Sequence, residues 1–567
     1  MPSPVFERLT REAQILVQDA SSHLAARYDP QRHLVYKREG NAMRHENRAS
    51  LYYALSLLLL DTPGGVAEAE AICNAVMDLQ LDAPTEIFHG AFLHPGQPMP
   101  PQGALAYQRL GTYGRFYLDC LCERVSDAFQ RKLTQTPALA PQAAQIERLL
   151  EKAALSVHPM VYATYEPCSR EFLLMCFAMM LEHFESVLSP QVVERMEHSA
   201  HLAVEGAIIR SRTDFSPLNT NIQCMHVFII DYFGRRFREE GWMRYALSLA
   251  ESMHRDYQEY HAAAEFNSPT YCGVDLATLG FWRRYGSSHA LRQIGGALEE
   301  GIWRDMMAFF NPAMMNFCGP YSRAYEMDMA LHTHFHALFY LCLGASRFPQ
   351  HPYSTESDSN PLLVLGDVRM PEDVKPLVFA PRENVLIRRQ FRELSERGDP
   401  AHNNALCTAT GWISPDLMIG ALAGSENPSY QLHPLVAFWR APRGLGTIKL
   451  LRCLPDGRMI HMHTVLFNGW AAENIARMDV HAAVGRDVKV FFEIECEGMD
   501  AARIAPDGWT LPGLRLAIRA HAPRPFVEQV DGRTIRVCFL AEAAKPETQQ
   551  MHFEMHFQLT NADTTQK

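Results

Sequence analysis

The 567-residue sequence lacks several features that would assign it to a familiar class. It contains no uninterrupted run of about 18 apolar residues, which is the length that a membrane-spanning helix needs. The apolar stretch at residues 55–60 is far shorter. The N-terminus, Met1-Pro2-Ser3-Pro4, has no basic segment followed by an apolar one, so it does not resemble a secretory signal. We therefore expect a cytoplasmic protein without a membrane partner.

The cysteines and the charge also exclude classes of partner. Thirteen cysteines are scattered without a CxxC pair, the closest two being Cys120 and Cys122. Together with the missing export signal, this predicts reduced and mostly buried thiols. The net charge of −11 argues against a nucleic acid as partner. A local pocket of arginine and histidine could still bind a small anion.

The length and the periodicity of the chain predict two domains. A single hydrophobic core stops growing at roughly 250–300 residues. Apolar residues recur at three- and four-residue spacing through residues 1–346, which predicts about a dozen helices. Several of these are apolar on more than one side, as expected for an inner ring of helices wrapped by an outer ring. We predict an (α/α) toroid over residues 1–346, with no intervening strand.

The second half of the chain has a different pattern. Residues 347–361 contain three prolines and no periodicity, which predicts a linker. Residues 362–567 carry short alternating segments separated by turns such as Pro455-Asp456-Gly457, which predicts an antiparallel β-sandwich. The predicted fold class is therefore α+β and multidomain, with an N-terminal toroid and a C-terminal sandwich. Many polysaccharide lyases and some glycosidases have this architecture, but a fold alone does not determine the reaction.

Short polar segments lie between the apolar helices, where functional residues are usually found. Their candidate residues are Arg44, His45, His89, Arg115, Arg170, Asn221, the stretch Glu265-Phe266-Asn267-Ser268-Pro269-Thr270-Tyr271, Arg323 and Tyr325. The stretch 265–271 is the most informative, because it holds a carboxylate, an amide, two hydroxyls and a phenol within seven residues. An arginine that faces a cavity needs an anionic partner from the protein or from a ligand.

Structural explanations remain open for several of these residues. Arg170 could pair with a neighbouring glutamate, Asn47 could cap a helix, and Asn267 could simply form a turn. His226, inside an apolar segment, is more typical of a core histidine than of a catalyst.

The mixture of side chains favours β-elimination over hydrolysis. Elimination from a uronic acid removes the proton at C5 and expels the oxygen at C4, so the carboxylate must be neutralised and the enolate-like intermediate stabilised. A base and an acid are also needed, commonly Tyr and His. A hydrolase would use two carboxylates about 5–9 Å apart. Glu265 could form such a pair with Asp275 or Asp328, so a glycoside hydrolase remains an alternative. A non-catalytic carbohydrate-binding protein is a second alternative.

Residues 41–60, 265–271 and 319–328 resemble segments of the L-rhamnose-α-1,4-D-glucuronate lyases, which have a toroid and a β-sheet domain. The resemblance covers the helical half. It implies a lyase that releases terminal rhamnose from glucuronate, with an acidic oligosaccharide or polysaccharide as substrate. It also implies that Tyr271 and His89 are base and acid in either order. By the same resemblance, the carboxylate is held by Arg115, Arg170 and Asn267. The sugar pocket is lined by Arg323 and Tyr325. To these substrate-binding candidates we add Arg44, His45, Asn221 and Glu265.

No cofactor is expected. His332 and His336 would share one helix face, and His461 and His463 would share one strand face. Neither pair completes a tetrahedral ligand set by its spacing, so a structural zinc or calcium ion is only an alternative. A homodimer is left open.

Overall fold

The computed structural model describes residues 2–39, 42–100, 168–213, 219–325, 333–350, 353–393, 406–427, 429–459, 465–482 and 487–560, with scattered positions at 128–149, Glu166, Met327, Met329 and Met462. The helices are α1 (Pro4–Glu7), α2 (Arg11–Ala25), α3 (Asn47–Leu60), α4 (Gly65–Met77), α5 (Ser169–Phe184), α6 (Pro190–Thr213), α7 (Thr220–Phe237), α8 (Glu240–Tyr260), α9 (Cys272–Tyr285), α10 (His289–Phe309), α11 (Thr333–Leu343) and α12 (Asn360–Leu363). None of these described helices combines the length and apolarity needed to cross a bilayer.

The described helices form an inner and an outer layer, as predicted for a toroid. Helices α3, α5, α7 and α9 are buried along most of their length. In sequence order each packs against the next, α9 packs against α11, and α11 packs against α2. Helices α4, α6, α8 and α10 pack on the outside of this layer. In α8 the fully buried residues are only Ala246 and Ala250, which explains its strongly amphipathic sequence.

The connections place the ends of the inner helices together. Short connections join α7 to α8 and α9 to α10, and each reverses the direction of the chain. Helices α7 and α9 are separated by α8, so they run parallel and their N-termini lie at the same end. A helix N-terminus offers free backbone N–H groups and a partial positive charge. This end of the inner layer therefore favours anionic groups.

The helical half also contains strands that the sequence analysis did not predict. β1 (Tyr28–Asp29), β2 (Leu34–Glu39) and β3 (Ala42–Glu46) form a three-stranded antiparallel sheet. β4 (Phe310–Asn311) pairs with β5 (Asn316–Phe317). The prediction of helices without strands was wrong here, because these strands are too short to show a clear alternation of apolar and polar residues.

The C-terminal half is an antiparallel β-sandwich, which confirms the predicted fold class. The strands are β6 (Val385–Arg392), β7 (Leu406–Ile413), β8 (Leu417–Ala423), β9 (Leu435–Arg440), β10 (Leu445–Cys453), β11 (Val465–Ala472), β12 (Ile475–Ala482), β13 (Val488–Glu495), β14 (Ile504–Ala505), β15 (Gly508–Leu511), β16 (Leu514–His521), β17 (Phe526–Gln529), β18 (Thr534–Ala541) and β19 (Gln550–Leu559). One sheet has the strand order β17-β18-β13-β10-β9-β8-β7-β6, and the other β11-β12-β19-β16-β15-β14.

Aromatic side chains fill the space between the two sheets. The ring of Phe492 lies 5.1 Å from that of Phe553 and 5.4 Å from that of Trp509, measured between centroids. The two sheets also meet where β11 packs on β7 and β8. Burial of these apolar faces is what holds the sandwich together.

The segment between the two halves packs against the helices. Ser354 caps a short 3-10 helix, Thr355–Ser359, which leads directly into α12. Arg27 of the helical half forms an ion pair with the buried Asp358. The predicted linker at residues 347–361 therefore contains ordered contacts, while the exact domain boundary stays a prediction.

The two halves also meet closely around a turn of the helical half. Tyr321 and His433 form an isolated antiparallel bridge, with backbone N–O distances of 3.2 and 3.0 Å. A Cβ atom on Gly420 of β8 would lie 1.9 Å from the Gly319 backbone, so only glycine allows this approach. The ring of Phe266 stacks on that of Phe391 at 4.4 Å. These contacts bring the predicted segments 265–271 and 319–325 against the β-domain.

Candidate active site

An arginine and a glutamate form the centre of a buried polar cluster at this junction. Nη1 of Arg323 lies 2.6 Å from Oε1 of Glu265. The other carboxylate oxygen of Glu265 accepts a hydrogen bond of 2.9 Å from the backbone N–H of Asn221, at the start of α7. Glu265 thus neutralises Arg323 and also satisfies one of the free N–H groups of a helix N-terminus.

Tyr271 lies directly beside this ion pair. The guanidinium carbon of Arg323 is 4.3 Å from the centre of the Tyr271 ring, a cation–π distance. The Tyr271 hydroxyl accepts a hydrogen bond of 3.2 Å from Nε2 of Gln431. Burial raises the pKa of Tyr271 well above its ordinary value, although the charge of Arg323 acts in the opposite direction. The resting site therefore holds Tyr271 as a neutral phenol. We call Arg323, Glu265, Tyr271 and Gln431 the Arg323 cluster.

The cluster is closed on one side and open on the other. On the buried side, Asp275 of α9 is fully buried and neither of its carboxylate oxygens has a hydrogen-bond partner among the described residues. Burial and the nearby Glu265 raise the pKa of Asp275 well above its ordinary value. On the open side, Tyr325 is 56% exposed, and its ring centre lies 5.9 Å from that of Tyr271. Tyr325 is thus the neighbour of Tyr271 that a ligand in solution can reach.

Asn267 holds the turn that carries Arg323. Its Nδ2 donates to the carbonyl oxygens of Cys318 and Pro320, at 2.6 and 3.0 Å. Its backbone φ is +52°, a left-handed conformation that asparagine tolerates better than most residues. Ser268 adds a second link, because its hydroxyl donates to the carbonyl of Arg323 at 2.5 Å. These bonds explain why a segment so rich in polar side chains is so well buried.

The β-domain supplies a side of the cluster that the sequence analysis missed. Gln431 follows a polar segment between two buried strands, β8 and β9. Its Oε1 accepts a hydrogen bond of 2.7 Å from Nε of Arg323. The signal available in the sequence was the polar, proline-containing stretch 424–434 between two apolar runs. Nothing in the sequence alone places that stretch beside Tyr271.

His89 and Arg170, which were predicted to act with Tyr271, contact each other and neighbouring backbone groups of the toroid. Arg170 is fully buried, and its Nη1 donates to the backbone carbonyls of Ile87 and His89 at 3.0 and 2.8 Å. The imidazole of His89 accepts from the backbone N–H of Ala83 at 3.0 Å and lines an outer cavity with Glu205 and Trp242. The contacts described for these two residues do not include the Arg323 cluster, and their predicted roles stay predictions.

The neighbour of Arg170 in sequence forms a second buried ion network. Glu171 is fully buried, with Oε1 3.4 Å from Nδ1 of His226 and 4.0 Å from Nη1 of Arg210. Burial opposes the ionisation of Glu171, but His226 and Arg210 together lower its pKa to about 2. We call Arg170, Glu171, Arg210 and His226 the Arg170 cluster.

The remaining predicted residues lie near the start of α3. His45 is bonded to Asp29, with 2.9 Å between Nε2 and Oδ2. Arg44 is exposed. Burial lowers the pKa of His94, and the charge of Arg44 lowers it further. Asn47 does not cap α3, because its side chain donates to the carbonyl of Leu93 at 2.8 Å. Arg115, Asp328, His332, His461 and His463 lie outside the described residues.

The described part of the chain contains no group of three or more His, Cys, Asp or Glu side chains placed to hold a metal ion. His334 is bonded to Glu356 and Ser359, at 3.2 and 2.8 Å, which gives it a structural role at the start of α11. The expectation that no cofactor is needed stays a prediction.

Several solved structures are similar in chain trace. A crystal structure of heparinase III matches 100% of this chain and 94% of its own, at 11% identity and a TM-score of 0.34. The chondroitin AC lyase of Streptomyces coelicolor A3, in complex with chondroitin sulphate, matches 96% of this chain and 83% of its own, at 12% identity and a TM-score of 0.37. No curated protein matches the sequence.

A family model covers more than half of the sequence. It matches residues 14–116 and 148–359, which include every residue of the two clusters except Gln431. The chain therefore belongs to the family described as a domain of unknown function, DUF8769.

Proposed function

We propose that this protein is a carbohydrate lyase that cleaves the bond at C4 of a uronic acid by β-elimination. The observation that carries the proposal is a neutral, buried phenol held between an arginine and an amide at the junction of the two domains. The inner-helix N-termini at this end favour an anionic ligand, which fits a uronate carboxylate. The proteins whose chain traces are similar include a heparinase and a chondroitin lyase, and their names agree with this class of reaction.

In this proposal Tyr271 acts as the general acid. A base removes the C5 proton, the electron pair forms the C4–C5 double bond, and the C4–O4 bond breaks. The Tyr271 phenol then gives its proton to the departing O4. Because burial keeps Tyr271 protonated, a proton is available at this atom before the reaction begins. Arg323 would stabilise the negative charge that develops on the phenol oxygen as the proton leaves.

The same geometry disfavours hydrolysis by Glu265 with Asp275. Both oxygens of Glu265 already accept hydrogen bonds, from Arg323 and from the Asn221 backbone. Asp275 is fully buried in α9 and has no exposed surface with which to reach a sugar. A retaining or inverting hydrolase needs both carboxylates in contact with the glycosidic bond or its water. Elimination is therefore the better proposal.

The specific substrate that we propose is suggested by the resemblance of residues 41–60, 265–271 and 319–328 to the rhamnose-glucuronate lyases. We propose a terminal L-rhamnose on glucuronate as the first substrate to test. A panel of uronate oligosaccharides with this disaccharide should yield a product with the ultraviolet absorbance of an unsaturated uronate. Reducing sugar without that absorbance would show a hydrolase, and tight binding without turnover would show a carbohydrate-binding protein. Loss of activity when the uronate carboxylate is reduced to an alcohol is also expected.

A further inference from the structure

Gln431 is fixed in place before any substrate binds. Its backbone N–H donates to Oγ of Ser429 at 3.2 Å, and its carbonyl accepts from the N–H of Ala324 at 3.0 Å. Its side chain contacts Arg323 at one end and Tyr271 at the other. Gln431 is buried, so water does not compete for these bonds.

The orientation of the Gln431 amide follows from its two partners. A guanidinium group only donates hydrogen bonds, so the amide atom that faces Nε of Arg323 must be the oxygen. The amide nitrogen then faces Tyr271, and this nitrogen can only donate. The Tyr271 oxygen is therefore the acceptor in its contact with Gln431. The proton of the phenol has to point elsewhere.

We propose that Gln431 is a positioning residue that directs the Tyr271 hydroxyl proton away from the β-domain and towards the open side of the site. Tyr325 lies on that side, with its exposed ring 5.9 Å from the Tyr271 ring between centroids. A leaving-group oxygen that replaces or joins Tyr325 there would meet the proton directly. This inference rests on the proposed lyase function, in which Tyr271 is the acid.

The segment before Gln431 is rigidly held, as this role requires. Nδ2 of Asn427 donates to the carbonyl of Ser322 at 3.0 Å, and its Oδ1 accepts from the N–H of Ser429 at 2.9 Å. The buried Arg452 donates through Nη2 to the carbonyls of Asn427 and Ser429, at 3.2 and 3.1 Å. The β-domain thus fixes the amide relative to the phenol. A structural role in the toroid alone would not need this arrangement.

Two substitutions separate the hydrogen-bond direction from simple packing. Gln431→Glu keeps a partner for Arg323 but presents a carboxylate oxygen to Tyr271, so the phenol would donate to it and its proton would point the wrong way. Gln431→Met keeps the volume and removes both bonds. We expect kcat to fall ~10-fold to 100-fold in Gln431→Glu and less in Gln431→Met, with KM changed by less than about threefold. The control is Gln549→Glu, the same change at a half-buried glutamine whose amide contacts only backbone carbonyls of the Glu542–Ala543 turn.

A second measurement tests the hydrogen bond without any turnover. In protein labelled with ¹³Cζ-tyrosine, the Tyr271 signal is identified by its loss in Tyr271→Phe. The ¹³Cζ chemical shift of Tyr271 should change in Gln431→Glu, because the phenol becomes a donor to a carboxylate. The same chemical shift should stay unchanged in Gln549→Glu. If no uronate is cleaved but the shift moves, the lyase proposal fails while the orientation of Gln431 stands. An unchanged shift and an unchanged kcat in both Gln431 variants would overturn the inference.

Discussion

The Arg323 and Arg170 clusters are chemically alike, yet their arginines contact different kinds of group. Each contains an arginine and a buried glutamate near the start of an inner helix, although Arg170 is fully buried and the Arg323 side chain is 14% exposed. Nη1 of Arg170 donates to two backbone carbonyls, so it braces the loop at residues 87–89. Arg323 instead contacts a carboxylate, an amide and a phenol, and the phenol can exchange a proton.

The comparison shows that an inward-facing arginine does not by itself mark a site. Arg170 was predicted to hold the substrate carboxylate, and Arg323 was predicted only to line the sugar pocket. What separates them is the group at the end of the hydrogen bond. A backbone carbonyl takes no part in proton transfer, whereas a tyrosine hydroxyl can. The second domain also matters, since it supplies Gln431 to the Arg323 cluster.

The largest effect is expected for the phenol of the Arg323 cluster. Tyr271→Phe keeps the ring under Arg323 and removes only the hydroxyl, so turnover should fall at least ~100-fold. The melting temperature should move little, because the ring packing remains. Tyr257→Phe is the matched control: the Tyr257 hydroxyl bonds Asp305 at 2.7 Å between α8 and α10, in the outer layer. If Tyr271→Phe turns over as well as Tyr257→Phe, Tyr271 is a packing residue.

The next effect concerns the ion pair that supports Tyr271. Arg323→Met leaves Glu265 buried without its cation and should cost about 3–5 kcal/mol of unfolding free energy. Adding Glu265→Gln removes the stranded charge, so the double variant should recover most of that stability. Turnover should stay low in both, because the cation beside the phenol is gone. Chemical denaturation with parallel rate measurements tests this, and activity that returned with stability would show that the pair is only structural.

Much of the fold could be predicted from the sequence because the periodicities were strong. The long apolar repeat of residues such as Leu173–Leu181 predicted buried helices, and the alternation in β16 and β19 indicated half-buried strands. The strands β8 and β9 were missed, since both are buried on nearly every residue and therefore show no alternation. The sheet β1–β3 was missed because it is short.

The candidate site could be predicted only in part, for a different reason. The stretch 265–271 and Arg323 stood out because the polar residues of the helical half are concentrated in a few short segments between apolar helices. Gln431 did not stand out, because it lies more than one hundred residues further along the chain and its role depends on how the β-domain docks. His89 was grouped with Tyr271 by the family resemblance, and that role stays a prediction.

A smaller effect on turnover should distinguish the bracing role of Arg170. Arg170→Met removes the donor from the carbonyls of Ile87 and His89, and each buried, unpaired carbonyl costs about 1–3 kcal/mol. The unfolding free energy should therefore drop by about 2–6 kcal/mol. Turnover per folded molecule, measured well below the melting temperature, should stay within about threefold of the wild type. A loss near ~100-fold with the stability intact would instead place Arg170 at the substrate carboxylate, as the sequence analysis predicted.

The smallest effect tests how the β-domain side of the Arg323 cluster is anchored. Glu393 is fully buried and accepts from Oγ of Ser425 at 2.8 and 3.0 Å, at the start of the segment that leads to Gln431. Burial raises the pKa of Glu393 from 4.5 to about 7, although these hydrogen bonds act in the opposite direction. Between these two values the folded protein holds a proton that the unfolded chain has lost, so stability should fall as the pH rises from about 4.5 to about 7. Glu393→Gln mimics the neutral acid and should flatten this dependence, with a gain of at most about 3 kcal/mol over the wild type at pH 8. Urea unfolding of both proteins at pH 5 and pH 8 measures the difference, and parallel curves would mean that Glu393 stays ionised in the folded β-domain.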